Sequence, residues 1–441
     1  MCMKHSILAA SIALAAVAFA EELAPFPVWG EPYAVTKGPH EHFFASYFAI
    51  DSWSPNHRYV SVLETDLNGR LPEPNERCTL GLVDLQDGNK FIPVTTTACW
   101  NFQEAAMAHW IDDDTLLFND VRDGKFVTVI MNWKTKAERI IPYPVSAVSE
   151  DRTWAVSINY ARLSLTRPDY GYAGPGQDPR ETVTWPEDDG LWIVDLKTGE
   201  AKLVLSVAQG RSKMPDLKPI DEKTVPKMPT VTRRGLAYYC HTVISKDGAK
   251  IFFLARSVDW YDKTTHKASR WQTTSFTVNK DGTDLRRCFK DGWAGSHFNW
   301  APDGSHKMLV TAIWDGDKQF APGDAWRSAW SPVEFTVGEE EKVRRIGAGI
   351  LDQDWHCVYS PDGKFMSGDT YWNRGNFERP FVLVRLADGM TMPMGSFFVP
   401  PQYRQTYWRC DLHARYRPDG KQIGFNSVHE GSRQVYIRDI K

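Results

Sequence analysis

Short apolar runs alternate with polar turns along most of this chain, and the alternation itself repeats. Four segments can be laid over one another: His241-Thr-Val-Ile-Ser-Lys-Asp-Gly248, His297-Phe-Asn-Trp-Ala-Pro-Asp-Gly304, His356-Cys-Val-Tyr-Ser-Pro-Asp-Gly363 and His413-Ala-Arg-Tyr-Arg-Pro-Asp-Gly420. Their closing glycines are 56, 59 and 57 residues apart. Each copy reads as a strand, a tight turn and a second strand, such as Ile251-Phe-Phe-Leu254 or Ile423-Gly-Phe425. Proline presets the first turn position and glycine supplies positive φ, which is the chemistry of a hairpin.

Weaker copies come earlier. Trp53-Ser-Pro-Asn56 leads into Tyr59-Val-Ser-Val62, His109-Trp-Ile-Asp112 opens a second unit, and Val148-Ser-Glu-Asp-Arg152 opens a third. The repeat predicts seven units of four short strands. An all-β, seven-bladed β-propeller is the economical solution, because ring closure leaves only short, protected edges. The last unit stops after Val435-Tyr-Ile-Arg438, one strand short, and Tyr33 to Val35 is expected to supply that strand. Residues 21–441 therefore read as a single propeller domain with a loop insertion at about 159–189. A Lys/Pro-rich excursion follows at 207–233. Long loops in compact folds are often functional.

Composition narrows the partners. Charged residues make up 24% and the net charge is −3, far from the positive balance of a nucleic-acid binder. A hydrophobic content of 42% excludes wholesale disorder. No stretch after residue 20 approaches a membrane span. The first twenty residues stand apart: Lys4 and His5 precede an apolar run from Ile7 to Ala20 that ends in Ala18-Phe19-Ala20. A removed signal peptide and a periplasmic or secreted location are expected. Cys78, Cys99, Cys240, Cys288, Cys357 and Cys410 remain, none in a CxxC spacing, and read mainly as buried thiols.

Four of the twelve histidines share one register position. In a propeller the first strand of each blade lines the channel, so His241, His297, His356 and His413 should approach a common axis. Hydrogen-bonded packing is one reading. Crowding in register favours neutral imidazoles around one divalent ion, Zn²⁺ or Mn²⁺ on ligand softness, with Ca²⁺ less suited. Gln353 is a candidate oxygen ligand, and Asp411 a partner that orients His413. His109 heads the second unit in the same inner-strand context. The insertion contributes Tyr160, Arg162, Arg167, Tyr170, Tyr172 and Arg180, which are suited to holding a carboxylate and stacking on a sugar. His40 and His42 read as structural. There is no Gly-x-Ser-x-Gly elbow, P-loop or dinucleotide fingerprint.

The repeated His-x-x-x-Ser-Pro-Asp-Gly unit resembles that of oligogalacturonate lyases and related seven-bladed propellers of bacterial polysaccharide breakdown. Gly38-Pro-His-Glu-His-Phe-Phe-Ala-Ser-Tyr-Phe48, Trp100-Asn-Phe-Gln103, Ala108-His-Trp110 and Leu165-Thr-Arg-Pro-Asp-Tyr-Gly-Tyr172 resemble the ulvan and rhamnosyl-glucuronate lyases more closely. The resemblance implies β-elimination beside a uronic acid, a rhamnose-linked glucuronate, in an acidic polysaccharide or oligosaccharide. It implies His109 and His241 as candidate bases and an assisting tyrosine, for which Tyr160 or Tyr172 is the candidate acid. Arg162, Arg167, Tyr172 and Arg180 would bind substrate, and His297, Gln353 and His356 would hold the metal. Val358 stands where a further ligand histidine is expected, with His413 as its substitute. Asn119 stands where ulvan-type lyases carry a second histidine. A related α-L-rhamnosidase group uses a histidine that His40 or His42 matches, so hydrolysis is the enzymatic alternative. A non-catalytic periplasmic binding propeller is the other.

Overall fold

The strand–turn–strand repeat folds as seven four-stranded antiparallel sheets, a seven-bladed β-propeller. The structure is a computed structural model that describes residues 23–441 except 175–177, 215–222, 224, 233–234, 263, 270, 290–293, 314–329, 340–341, 348 and 405–406. The expected signal peptide, residues 1–20, lies outside the described residues, as does part of the 207–233 excursion. The inner strands, in chain order, are Glu41–Phe44, His109–Asp112, Ala147–Val148, Leu236–Ile244, Ala294–Trp300, Trp355–Tyr359 and Arg415–Tyr416. A small three-stranded sheet, Val231–Thr232 with Tyr261–Asp262 and Lys267–Ala268, adjoins the fourth blade. Among the described residues, no helix is long and apolar enough to cross a membrane.

The turns close for a specific chemical reason. Ser54, Ser149, Ser245 and Ser360 each donate their hydroxyl to the Asn or Asp two residues on, at 2.6–2.8 Å. Each also accepts the backbone N–H five residues on, from Tyr59, Trp154, Lys250 and Phe365. Gly248, Gly304, Gly363 and Gly420 then take φ between +69° and +74°, where a side chain would be strained. The ring closes as the repeat requires. Tyr33 pairs with Ile437 and Ala34 with Tyr436, and the Val35 N–H donates to the Val435 carbonyl at 2.9 Å.

These turns fix the register at the axis. Counting four residues back from Ser54, Ser149, Ser245, Ala301, Ser360 and Arg417 gives Ile50, Val145, His241, His297, His356 and His413. In the second blade the Trp110 indole donates to the Ser52 carbonyl, as the Trp300 indole does to Val243. Trp110 therefore matches Trp300, and the register residue is Met107. Met107 shares the left-handed backbone of His241, His297 and His413, with φ of 50°, 55°, 57° and 46°. His109 stands two residues past the register position, apart from the four in-register histidines.

Apolar clusters fill the spaces between adjacent blades. Val60, Val62, Leu80 and Leu82 in the first blade and Ile251, Phe252 and Phe253 in the fourth are all fully buried. Each such side chain contributes about 1.5–3 kcal/mol relative to exposure. The segment 159–189 is not an open loop. Asn159 caps a helix at Tyr160–Ser164, and Arg162, 1% exposed, pins it in place. All five of its N–H groups are taken, by Asp178 and the carbonyls of Ala237, Arg180, Val183 and Thr184. Cys78, Cys99, Cys240, Cys357 and Cys410 are buried free thiols, and Cys288 is buried with them.

Candidate active site

Three of the seven axis positions are apolar, Ile50, Met107 and Val145, and the other four are histidines in consecutive blades. The asymmetry puts the chemistry on one side. The His297 and His356 rings lie 4.2 Å apart, and His356 and His413 lie 4.7 Å apart. Residues Tyr47 and Phe48, from the first blade's inner connection, reach across to meet them. Phe48 stacks on His413 at 5.1 Å, and Tyr47 lies 5.9 Å from His241. Tyr170 packs against His241 at 4.7 Å.

Carboxylates fix the orientation of two imidazoles. His297 Nδ1 lies 3.0 Å from Asp354, and His356 Nδ1 lies 3.0 Å from Asp369. Both contacts leave Nε2 for another partner, the arrangement in which a carboxylate orients a metal-binding histidine. His356, Asp411 and His413 bring one donor atom each within 4.8 Å of one another. Burial lowers the proton affinity of His241, His297 and His413, which holds them neutral, whereas the Asp369 carboxylate raises that of His356 against the opposing effect of burial. Asp411 is kept ionised, against its burial, by Arg409 and Arg379, which lie 3.0 and 2.9 Å away. Three carboxylates, Asp354, Asp369 and Asp411, thus face two guanidinium groups. The surplus negative charge and the two freed Nε2 atoms fit a divalent ion of the manganese or zinc type.

The residues singled out from sequence scatter more widely. His297, His356 and His413 come together, but Gln353 is exposed, and its side-chain oxygen lies 3.5 Å from the Thr370 hydroxyl. His109 is buried, with Nδ1 2.8 Å from the Met107 carbonyl, and burial pushes its pKa down to about 3. Tyr160 stacks on Tyr172 at 4.3 Å, and both are almost fully buried. The Tyr160 hydroxyl donates to Val145, and that of Tyr172 accepts from Asn119. Arg162 is sealed in the structure as described above. Arg180 pairs with Asp188 at 2.8 Å. Arg167, by contrast, sits at the channel: Asp169 holds it bidentately, and its guanidinium lies 4.1 Å over the Tyr170 ring. His42 bonds Glu64 and Gln434, and His40 bonds Asp66, so both are structurally engaged.

Asp411 was expected beside His413, but other site residues escaped the sequence reading. Asp354, like Asp411, stands two residues before a histidine, so a recurring Asp-x-His was available as a signal. Asp369 faces His356 in the strand register. Glu104 is buried near the channel, and burial pushes its carboxyl pKa up to about 8. Arg256, paired in register with Tyr238, carries two buried guanidinium nitrogens without a hydrogen-bond partner, and His241 Nδ1 is in the same condition.

No protein-family model matches the chain. No curated protein matches it in sequence either. Solved structures do match in fold. An oligogalacturonate lyase in complex with manganese is similar at a TM-score of 0.59 and 18% identity, covering 93% of each chain. The oligogalacturonate lyase of Vibrio parahaemolyticus is similar at 0.56 and 14% identity, covering 92% of this chain and 93% of that one. The tricorn protease matches at 0.50 and 9% identity over 34% of its own length.

Proposed function

We propose that this protein is a polysaccharide lyase that cleaves the bond beside a uronic acid by β-elimination. One observation carries the reading: His241, half-buried with a buried and unpartnered Nδ1, lies within the field of Arg256, whose N–H groups are also unpartnered. β-Elimination needs that pair. The neutral His241 takes the proton from the carbon next to the carboxylate, while Arg256 holds the carboxylate and stabilises the charge that develops. The electron pair forms a carbon–carbon double bond as the glycosidic bond on the adjacent carbon breaks. The leaving oxygen needs a proton, and Tyr170 is the suited donor. Its hydroxyl accepts from Arg409 at 3.2 Å, which leaves its own hydrogen to give. Tyr160 and Tyr172, buried and bonded elsewhere, are less suited.

His297, His356, His413 and Asp411 would hold one divalent ion, which when bound supplies positive charge for the carboxylate. The uronate is a rhamnose-linked glucuronate, as the Arg-Pro-Asp-Tyr-Gly-Tyr segment supports, and the protein is exported, as residues 1–20 support.

Turnover on glucuronate-containing oligosaccharides tests the assignment of the base. His241→Ala should lower it by about 10²–10⁴-fold, and His109→Ala by less than about tenfold. The reverse order would move the chemistry to His109.

A further inference from the structure

The sixth blade ends in an aromatic surface that the elimination reading does not use. Its inner strand, Trp355–Tyr359, carries His356 and pairs Trp355 with Thr370 at the channel end. Tyr371 and Trp372 follow Thr370 directly, and Glu378 pairs with Phe398 at the same end of the sheet. Two connections meet there. In the turn 371–377 the N–H groups of Asn373 and Phe377 donate to the carbonyls of Glu378 and Asn373, both at 2.7 Å. Phe377 takes φ of 60°, a left-handed backbone that is rare for a bulky residue. The segment 399–404 returns over it: the Val399 N–H donates to the Phe377 carbonyl, and Arg404 Nε donates to the Val399 carbonyl, both at 2.8 Å. The Arg404 guanidinium is thereby held 3.7 Å from the centre of the Phe377 ring, 5.6 Å from that of Phe398 and 5.8 Å from that of Trp372. Phe398 is 43% exposed. Tyr371, beside Trp372 in the chain, packs on His356 at 5.4 Å. An aromatic surface therefore leads outward from His356 to Arg404.

The charges along it say what it would bind. Nε is the one Arg404 nitrogen with a hydrogen bond among the described residues, so four N–H groups stay free, and no carboxylate pairs with them. Neither connection contains an acidic residue. Glu378, which follows the first, accepts from the Asn376 amide at 3.0 Å. Arg374, in the first, is exposed. Arg167, Arg379 and Arg409 differ, since each faces carboxylates of the protein. The divalent ion expected at His297, His356, His413 and Asp411 serves the channel, and Tyr371 and Trp372 stand between His356 and Arg404. A guanidinium stacked on rings with its edge free suits a carboxylate at that edge and sugar carbons on the adjoining rings.

We propose that Arg404, with Trp372, Phe377 and Phe398, forms an outer binding site for a carboxylate-bearing sugar. This sugar lies farther along the same chain than the one at His241. That one chain occupies both sites rests on the lyase reading. The consequence is a preference for long chains over short ones.

The probes are a glucuronate-containing disaccharide and decasaccharide from one polymer, and the same decasaccharide with its carboxylates reduced to alcohols. Binding is read by calorimetry in the His241→Ala background, which spares the ligand from cleavage. Arg404→Met keeps an apolar stem over Phe377 and removes the charge. It should weaken the decasaccharide about tenfold, a 1.4 kcal/mol effect, and leave the disaccharide and the reduced decasaccharide within about twofold. The tenfold ratio should be the same with Mn²⁺ added or chelated, because Arg404 acts apart from the ion. Phe398→Ser changes an exposed side chain and should weaken both decasaccharides alike, by about threefold. Parental affinity for the decasaccharide in Arg404→Met, or in Phe398→Ser, overturns the site. So does an Arg404→Met loss that is equal on both decasaccharides or that disappears on chelation. Failure of the lyase reading is seen separately, as the absence of unsaturated product from the parent protein, which none of the binding comparisons requires.

Discussion

Asp369 Oδ2 lies 3.0 Å from His356 Nδ1, and the same carboxylate accepts the backbone N–H groups of Leu412 and His413 at 3.1 Å. One side chain thereby orients a histidine of the sixth blade and positions the histidine of the seventh. Asp369→Asn keeps the shape but removes the charge that selects the His356 tautomer. It should weaken Mn²⁺ or Zn²⁺ binding by about 10–100-fold. A metal titration giving parental affinity would mean that His356 is not a ligand.

Arg379 is 1% exposed and bridges Asp369 and Asp411 at 3.4 and 2.9 Å. Removing it leaves two buried carboxylates facing each other. Arg379→Met should cost about 3–5 kcal/mol in denaturant unfolding, and Arg379→Met with Asp411→Leu should recover much of that loss. Equal stability of parent and single variant would show that the pair contributes nothing.

Much of this was legible in the sequence, and the reasons are local. The Ser-Pro-Asp-Gly turns announce themselves because their hydrogen bonds close within five residues, and the missing outer strand at Tyr33 followed from counting. His109 stands off the axis because its blade lacks the Ser turn: Met107 holds the axis position, and a methionine carries no chemical flag. Arg162 read as a substrate arginine because most of its partners, Asp178 and the carbonyls of Arg180, Val183 and Thr184, lie in a segment with no period to reveal its burial. Asp369 stayed hidden because only the strand register brings it beside His356.

Glu104 gives a pH dependence of definite sign. Burial pushes its carboxyl from 4.5 up to about 8. Between those values the folded protein holds a proton that the unfolded chain has released, so this group's contribution to stability is present at low pH and falls as pH rises through about 8. Glu104→Gln should therefore gain stability relative to the parent between about pH 5 and about pH 8. Urea midpoints that differ by the same amount at both pH values would place the Glu104 carboxyl in water.

Ring closure by Tyr33–Ala34 predicts the effect of trimming the chain. A protein beginning at residue 38 loses this strand and the bonds from Gly30 and Val35 to the seventh blade. Compared with one beginning at residue 21, its thermal midpoint should fall by at least about 5 °C. Identical melting curves would mean that the blade is complete without it.

The central claim is β-elimination, and the products decide it. A glucuronate-containing oligosaccharide is incubated with the protein in ¹⁸O-labelled water, while ultraviolet absorbance, reducing ends and product masses are followed together. The account predicts that absorbance from a double bond conjugated to the carboxylate rises in step with new reducing ends, and that cleavage places no labelled oxygen in the products. New reducing ends without absorbance, with ¹⁸O carried into the products, would contradict it and make the protein a hydrolase.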